Sequence, residues 1–241
     1  MIDSILILAA GKGERLGDLT KRTPKPLLTL DNSNNVILDR ILQQCAREFP
    51  EISVHVNISY LAEKFLEHFF STKHNLIPSF IYEKQKLGPA RSLTEFLKLG
   101  HRKTLVIHGD LVVENYEFSC LAHKIRSAEN QIIVCHQRPY SSARSRVNLK
   151  NGRVTAIDEF NPKSTNNESE NLILVCSGIY TIFAGSLDGY HPELGESLAP
   201  NLLNYSISNQ ETQIYGWRGW RFAIDSPQAY LMAKAKILES D

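Results

Sequence analysis

Leu8-Ala9-Ala10-Gly11-Lys12-Gly13-Glu14-Arg15-Leu16, followed closely by Thr23-Pro24-Lys25-Pro26-Leu27-Leu28, is the stretch of the chain richest in chemistry. Gly11 and Gly13 close an apolar run. Residues without a Cβ let the backbone turn sharply and aim its N–H groups at a phosphate. Arg15 and Lys25 add fixed positive charge: a guanidinium grips two oxygens at once, and an ammonium acts as a point charge. Pro24 and Pro26 restrict the backbone around Lys25, so less entropy is lost when it engages a ligand. The chemistry on offer is capture of an oxyanion. Two other phosphate loops are excluded. A dinucleotide G-x-G-x-x-G counted from Gly11 needs glycine where Leu16 stands, and no G-x-x-x-x-G-K-[ST] string occurs. A tight turn with no ligand needs only the glycines; two cations and a proline pair in the same loop go beyond it.

The elements that must position this loop can be read from periodicity. Ser4–Ala9 is a branched apolar run of the kind found in a strand covered on both faces. Ile37, Leu38, Ile41, Leu42 and Cys45 mark one helical stripe within 36–47. The pattern then predicts a strand over 52–58, a helix over 61–70 with Phe65, Leu66 and Phe69 inward, and a strand over 76–82. A helix opened by Pro89 follows, then a strand over 104–108 ending in Gly109-Asp110, a helix over 118–126 and a strand over 131–136. Strand and helix thus alternate through the first 135 residues, which predicts an α/β fold with a mostly parallel, Rossmann-like central sheet flanked by helices. Ligands of such sheets sit beyond the carboxyl ends of the strands, where Gly11–Arg15 and Asp110 belong.

The second half predicts antiparallel additions. Asn151-Gly152 between 146–149 and 153–157 is a two-residue hairpin turn. A polar loop over 161–171, a strand over 173–183, a mostly helical 192–205, a strand over 212–215 and a final helix over 227–239 complete the chain. Without a repeat or a linker, the expectation is a single domain over 1–241, with a nucleotide-binding half at 1–135 and an acceptor-binding half with the final helix at 136–241.

Composition narrows the class. The chain has 241 residues, and its 27 Lys and Arg nearly balance 26 Asp and Glu. That balance leaves no electrostatic footprint for nucleic acid. Cys45, Cys120, Cys135 and Cys176 are far apart, without zinc spacing, and are expected to be buried thiols in a reducing compartment. No apolar run approaches the ~20 residues that span a bilayer, and the short N-terminal run without a basic flank does not read as a signal peptide. No membrane association and a cytoplasmic location are expected.

The L-A-A-G-x-G-x-R-L stretch followed by T-x-x-x-P-K-P-L-L resembles the signature of sugar-1-phosphate nucleotidyltransferases. Length, the Ser177-Gly178-Ile179-Tyr180 strand and the Leu198-Ala199-Pro200-Asn201-Leu202-Leu203 segment are most similar to short bacterial N-acetylmuramate-1-phosphate uridylyltransferases. The resemblance implies a nucleotide-diphospho-sugar transferase fold. It also implies transfer of a nucleotidyl group from a nucleoside triphosphate to a sugar 1-phosphate with release of pyrophosphate, serving cell-wall or surface-polysaccharide synthesis. UTP is the favoured donor, with CTP, GTP or dTTP alternatives. His108-Gly109-Asp110 resembles the family's N-G-D and Trp220–Pro227 its late W-x-D-I-G-T-P, which implies Mg2+ ligation by Asp110 and Asp225. Arg15, Lys25 and Asp110 are then the catalytic candidates. Leu8, Ala10, Gly11, Lys12 and Gly13, with Gly88 and Arg91 of the L-G-P-A segment, would bind the nucleotide. Asn148, Glu159, Ser177 and Gly178 would face the sugar.

Several positions depart from that pattern. Phe160 stands where the family often has a lysine for the sugar phosphate, leaving Lys163, Arg144 or Arg146 as substitutes. Arg91 replaces a small residue, Pro89 a threonine and His108 an asparagine. Asp225-Ser226-Pro227 is also a helix-start signal in its own right. The aromatic group Tyr215, Trp217, Trp220 and Phe222 fits a ligand platform or ordinary packing. Two further readings stay open: a cytidylyltransferase for a non-sugar phosphate such as phosphocholine, and a nucleotide-binding regulatory homologue without turnover. Either a monomer or a homo-oligomer is compatible with the sequence.

Overall fold

A computed structural model describes residues 1–71, 74, 76–139, 145–159, 172–193 and 196–239. In chain order the regular elements are β1 (Ser4–Leu8), α1 (Ile37–Glu48), β2 (Ser53–Ile58), α2 (Ala62–Ser71), β3 (Ser79–Tyr82), α3 (Pro89–Leu97), β4 (Lys103–His108) and β5 (Leu111–Val113). Then come α4 (Asn115–Ser127), β6 (Gln131–Pro139), β7 (Ser145–Lys150), β8 (Arg153–Glu159), β9 (Leu172–Phe183), α5 (Leu203–Asn209), β10 (Thr212–Gly216), β11 (Arg221–Ala223) and α6 (Pro227–Leu238). The class is mixed α/β, with a mostly parallel central sheet flanked by helices, as the alternating pattern predicts.

The chain forms two compact, interleaved units. The first comprises Ser4–Lys86, Ile107–Ala122 and Gly219–Asp241; the second comprises Met1–Asp3, Leu87–Val106 and His123–Arg218. In the first unit β3-β2-β1 pair in parallel, Ser4 lying opposite Ser53 and His55 opposite Ser79. Ile5, Leu6 and Ile7 are fully buried, as a central strand requires. The stripe Ile37, Leu38, Ile41, Leu42 and Cys45 of α1 is buried along its whole length, and the Phe49 ring meets Phe118 of α4 edge-on. Burial pushes the Cys45 thiol up to about 12, so it stays protonated.

In the second unit β6 pairs in parallel with β10, and antiparallel pairs join β6 to β9, β10 to β8 and β8 to β7. The β7–β8 turn is the expected one: Asn151 and Gly152 both have positive φ, at 53° and 76°, and Lys150 pairs with Arg153.

Several expectations need correction. Leu66 is 43% exposed, because α2 turns only its i, i+4 pair Phe65 and Phe69 inward. β3 begins at Ser79 rather than 76, after Pro78, which has no N–H for a ladder. The 192–205 stretch becomes a regular helix only at Leu203: Pro200 forces Ala199 into an extended conformation, which breaks the turn over Leu198–Leu202. Cys120 and Cys176 are half-buried rather than buried. The predicted loop over 161–171, together with Phe160, Arg144 and Lys163, lies outside the described residues.

Candidate active site

The base of the glycine loop is pinned from below. Ala9 N–H, just past β1, donates to Asn57 Oδ1 at 2.6 Å, and Asn57 Nδ2 donates to Glu83 Oε1 at 2.7 Å. Glu83 N–H in turn donates to the Ile58 carbonyl. Asn57 and Glu83 are buried at the ends of β2 and β3, so three parallel strand ends fix where the loop leaves the sheet.

Gly13 turns the loop, with φ 67° and ψ 31° in the left-handed region. A Cβ there would meet Thr20 Cγ2 at 3.0 Å and the Lys25 side chain at 3.4 Å. Thr20 Oγ1 donates to the Gly13 carbonyl at 3.0 Å, closing two short 3-10 turns over Glu14–Thr20 that are broken at Gly17, the first of which carries Arg15. Gly11 differs: its φ is ordinary and, among the described residues, nothing lies within 4 Å of a Cβ built on it. Its missing side chain leaves open space above the loop rather than relieving strain.

Lys25 sits in a 3-10 turn over Lys25–Leu27 between its two prolines. Its Nζ reaches Asp110 Oδ2 at 2.9 Å, with the two side chains only 16% and 26% exposed. Gly109 allows this meeting. Its N–H donates to the Leu8 carbonyl, and a Cβ on it would lie 2.8 Å from that oxygen, so only glycine lets β4 end so close to β1.

Asp225 arrives by a backbone route. β5 and β11 form an antiparallel ribbon with Ala223 opposite Leu111, and Ile224 N–H donates to the Asp110 carbonyl at 2.9 Å. The helix-start signal resolves onto the neighbouring residue: Ser226 Oγ accepts from Ala229 N–H and caps α6. Asp225 is left half-exposed, with Arg15 Nη1 3.9 Å from its Oδ2. A cavity of 250 Å³ is lined by Gly11–Leu16, Lys25, Lys86 and Asp225.

Charge organises this site. Burial by itself would raise the Asp110 carboxyl, but the Lys25 ammonium, the His108 ring and Arg221 outweigh it and hold the carboxyl below its ordinary value. His108 is lowered, chiefly by burial and further by Arg221 and Lys25, against the opposing pull of Asp110. Asp110 and Asp225 supply hard oxygen donors on adjacent backbone, and a side-chain cation already stands against each of them, so the chemistry of the donor set fits Mg2+.

The remaining sequence candidates divide by unit. Leu8, Ala10 and Lys12 belong to the first unit with the loop: Leu8 half-buried at the end of β1, Ala10 buried and Lys12 exposed. Gly88, Arg91, Asn148, Glu159, Ser177 and Gly178 all lie in the second unit. There Gly88, with φ 90°, precedes α3 and accepts from Ser92 Oγ, and Arg91 sits in the first turn of that helix. Asn148 Nδ2 donates to Asp158 Oδ2 at 2.6 Å, Glu159 is exposed at the end of β8, and Ser177 is buried against His136 Nδ1 at 2.9 Å. Of the aromatic group, Trp220 packs under the Arg40 guanidinium and beside Phe222, and Trp217 is buried. Sequence reasoning missed Lys86 and the Asn57–Glu83 pin. Lys86 directly precedes the Leu87-Gly88-Pro89-Ala90 segment, which was its available signal; the pin depends on long-range pairing and had none.

This fold, with a glycine turn and a cation-bearing loop set against strand-end carboxylates, defines a class. The chain belongs to the nucleotidyl transferase family, whose sequence model matches residues 4–187. Across 98% of its length it is 27% identical to the mannose-1-phosphate guanyltransferase of Schizosaccharomyces pombe, covering 64% of that protein. It is 26% identical over 132 residues, 52% of this chain and 31% of the relative, to the bifunctional protein GlmU of Methanocaldococcus jannaschii. The chain thus spans less than two thirds of the length of these curated relatives. Among solved structures, HddC from Yersinia pseudotuberculosis shares the fold with a TM-score of 0.76 at 20% identity, over 98% of this chain and 100% of that one. A UDP-glucose pyrophosphorylase complexed with UDP-glucose does so with a TM-score of 0.78 at 17% identity, over 100% of both chains.

Proposed function

We propose that this chain transfers a nucleotidyl group from a nucleoside triphosphate to a sugar 1-phosphate, using Mg2+ and releasing pyrophosphate. The observation that carries the reading is the gathering of Gly11–Arg15, Lys25, Asp110 and Asp225 within one compact unit. The relatives' names add weight on the sugar-phosphate side. An oxygen of the acceptor phosphate forms a bond to the α-phosphorus as the bond from that phosphorus to the pyrophosphate oxygen breaks. The attacking phosphate is already ionised, so no general base is needed. Alignment and charge neutralisation supply the rate.

The loop and Arg15 hold the departing pyrophosphate. Lys25 stabilises the charge that builds at the α-phosphate. Asp110 and Asp225 are the residues that would hold Mg2+, which when bound supplies neutralisation of the facing phosphates. UTP is the donor we favour, and an N-acetylmuramate-type phosphate belongs among the acceptors because of the sequence resemblance. GTP and a mannose phosphate belong there because of the guanyltransferase relative. Such a reaction would feed cell-wall or surface-polysaccharide synthesis from the cytoplasm.

The test is pyrophosphate release with Mg2+, each of four nucleoside triphosphates and a panel of sugar and amino-alcohol phosphates. Release confined to sugar phosphates supports the reading; release confined to amino-alcohol phosphates, or nucleotide binding without any release, overturns it. Asp110→Asn and Asp225→Asn should each lose most of the activity, and full activity in both would remove the metal role.

A further inference from the structure

Away from the glycine loop, Asp39 in the first turn of α1 meets two imidazoles. His68 Nε2, on α2, lies 2.9 Å from Asp39 Oδ1 and 3.0 Å from Oδ2. His74 Nδ1 approaches the same Oδ1 at 3.5 Å. The three side chains are between 10% and 16% exposed, and one ligand atom from each lies within 4.8 Å of the others. The far side of the His74 ring carries the decisive detail. Its Nε2 sits 3.5 Å from the His68 carbonyl oxygen, where it acts as the donor. In the neutral ring Nδ1 then bears a lone pair, and that lone pair faces a carboxylate oxygen. Such a contact is satisfied by a proton on Nδ1 or by a metal ion that displaces that proton, since imidazole ligands bind metal in the deprotonated form. A hydrogen bond from the far ring nitrogen to a backbone carbonyl is also how metal-ligating imidazoles are generally oriented.

We propose that Asp39, His68 and His74 form a binding site for a divalent transition metal of the zinc class, distinct from the Asp110–Asp225 pair and independent of the transferase reading. Two imidazole nitrogens and one carboxylate suit zinc, cobalt or nickel, whereas magnesium prefers an all-oxygen set. Tetrahedral zinc with ligands at ~2.0–2.1 Å separates them by about 3.3 Å, and the two edges measured from Asp39 Oδ1, 2.9 and 3.5 Å, bracket that spacing. Three protein ligands among the described residues leave a further position for water or another ligand. The cluster lines a cavity of 370 Å³ whose rim bears Ser33, Asn34 and Asn35, with room for water or a small ligand there. The Phe69 ring packs 4.3 Å from His74 and 5.3 Å from His68, walling the site with apolar surface. A bound ion would tie the end of α2 to the start of α1. The first N–H of α1, from Ile37, bonds the carbonyl of Leu28, whose own N–H bonds that of Lys25. Metal binding would therefore stiffen the support of the Lys25 turn.

The experiment is titration of the full chain, stripped with chelator, with Co2+ as the spectroscopic probe and Zn2+ as competitor. One equivalent of Co2+ should give the visible bands of a four- or five-coordinate ion, and Zn2+ should abolish them. His68→Gln and His74→Gln should each weaken binding by more than the ~10–100-fold that loss of an outer-shell partner costs. His74→Gln leaves the start of α1 intact, so circular dichroism should show it folded. The Asp110→Asn/Asp225→Asn double variant should keep the bands. Absence of stoichiometric bands, bands indifferent to both histidine substitutions, or bands lost only in the double aspartate variant would each overturn the proposal.

Discussion

Lys25→Met isolates the contact on which the site's electrostatics turn. The ammonium and the Asp110 carboxylate stand 2.9 Å apart, each less than a third exposed. At an effective dielectric of about 20 their gross attraction is about 6 kcal/mol, most of which desolvation of the two groups cancels. Removing one partner leaves the other charge part-buried, so Lys25→Met and Asp110→Asn should each destabilise by roughly 1.5–3 kcal/mol. The double variant leaves no charge behind and should cost ~1–2 kcal/mol less than the sum of the singles. Urea unfolding at pH 7 of all four proteins measures this directly.

The same pair makes a signed pH prediction. The Asp110 carboxyl is lowered in the folded protein from its ordinary 3.8, so its contribution to stability is complete above that value. It is lost as pH falls through the lowered folded-state value. The stability gap between wild type and Lys25→Met should hold between pH 7 and 5 and close below pH ~4. Turnover should separate from stability: Lys25→Met should lower kcat by ~10²–10³ with KM little changed, and the double variant should regain stability without regaining turnover. Singles that add within ~0.3 kcal/mol, or a gap that persists at low pH, would refute a coupled ion pair.

Four further substitutions probe the frame. Gly109→Ala places a Cβ 2.8 Å from the Leu8 carbonyl and 3.2 Å from Ala9 Cβ, so it should cost ~1–3 kcal/mol in urea unfolding and lower pyrophosphate release; wild-type values for both would contradict it. Gly13→Ala, at φ 67° with Thr20 3.0 Å away, should cost about 1–2 kcal/mol, while Gly11→Ala should leave stability within ~0.5 kcal/mol and weaken triphosphate binding in a calorimetric titration. Equal stability losses at the two glycines would show that the distinction between turn and open space is mistaken. Asn57→Ala strips buried partners from Ala9 N–H and Glu83 and should lower stability by roughly 1–3 kcal/mol; an unchanged unfolding midpoint would show that the loop base is held otherwise.

What the sequence discloses and what it hides differ by range. The buried run Ile5–Ile7, the α1 stripe and the Asn151-Gly152 turn are local patterns, where period or turn chemistry is contiguous in the chain. The glycine loop is legible for the same reason, since its cations lie within fifteen residues of the turn. β5 and β11 span three residues each, too few for any periodicity, yet their pairing is what brings Asp225 to Asp110. The Asn57–Glu83 pin and the Asp39–His68–His74 cluster unite residues whose proximity only the packed elements create. Leu66 failed because an apolar residue beside a helical stripe looks like a member of it.

The cavity lining makes the case for a divalent ion quantitative. Lys12, Arg15, Lys25 and Lys86 face Glu14 and Asp225 around it, an excess of two positive charges that falls to one when Asp110 is counted. A triphosphate brings about four negative charges and an acceptor phosphate up to two more, so the side chains alone leave the reacting phosphates under-neutralised. The two carboxylates worsen that balance unless they hold a cation of their own. Their juxtaposition is made by backbone bonds, Ile224 N–H to the Asp110 carbonyl and Glu114 N–H to that of Trp220, with no help from either carboxylate. A frame that sets two carboxylates on adjacent backbone by main-chain bonds, beyond the ion pairs that Lys25 and Arg15 make with them, fits a ligand that needs both, and on the proposed function that ligand is Mg2+ carrying the nucleotide.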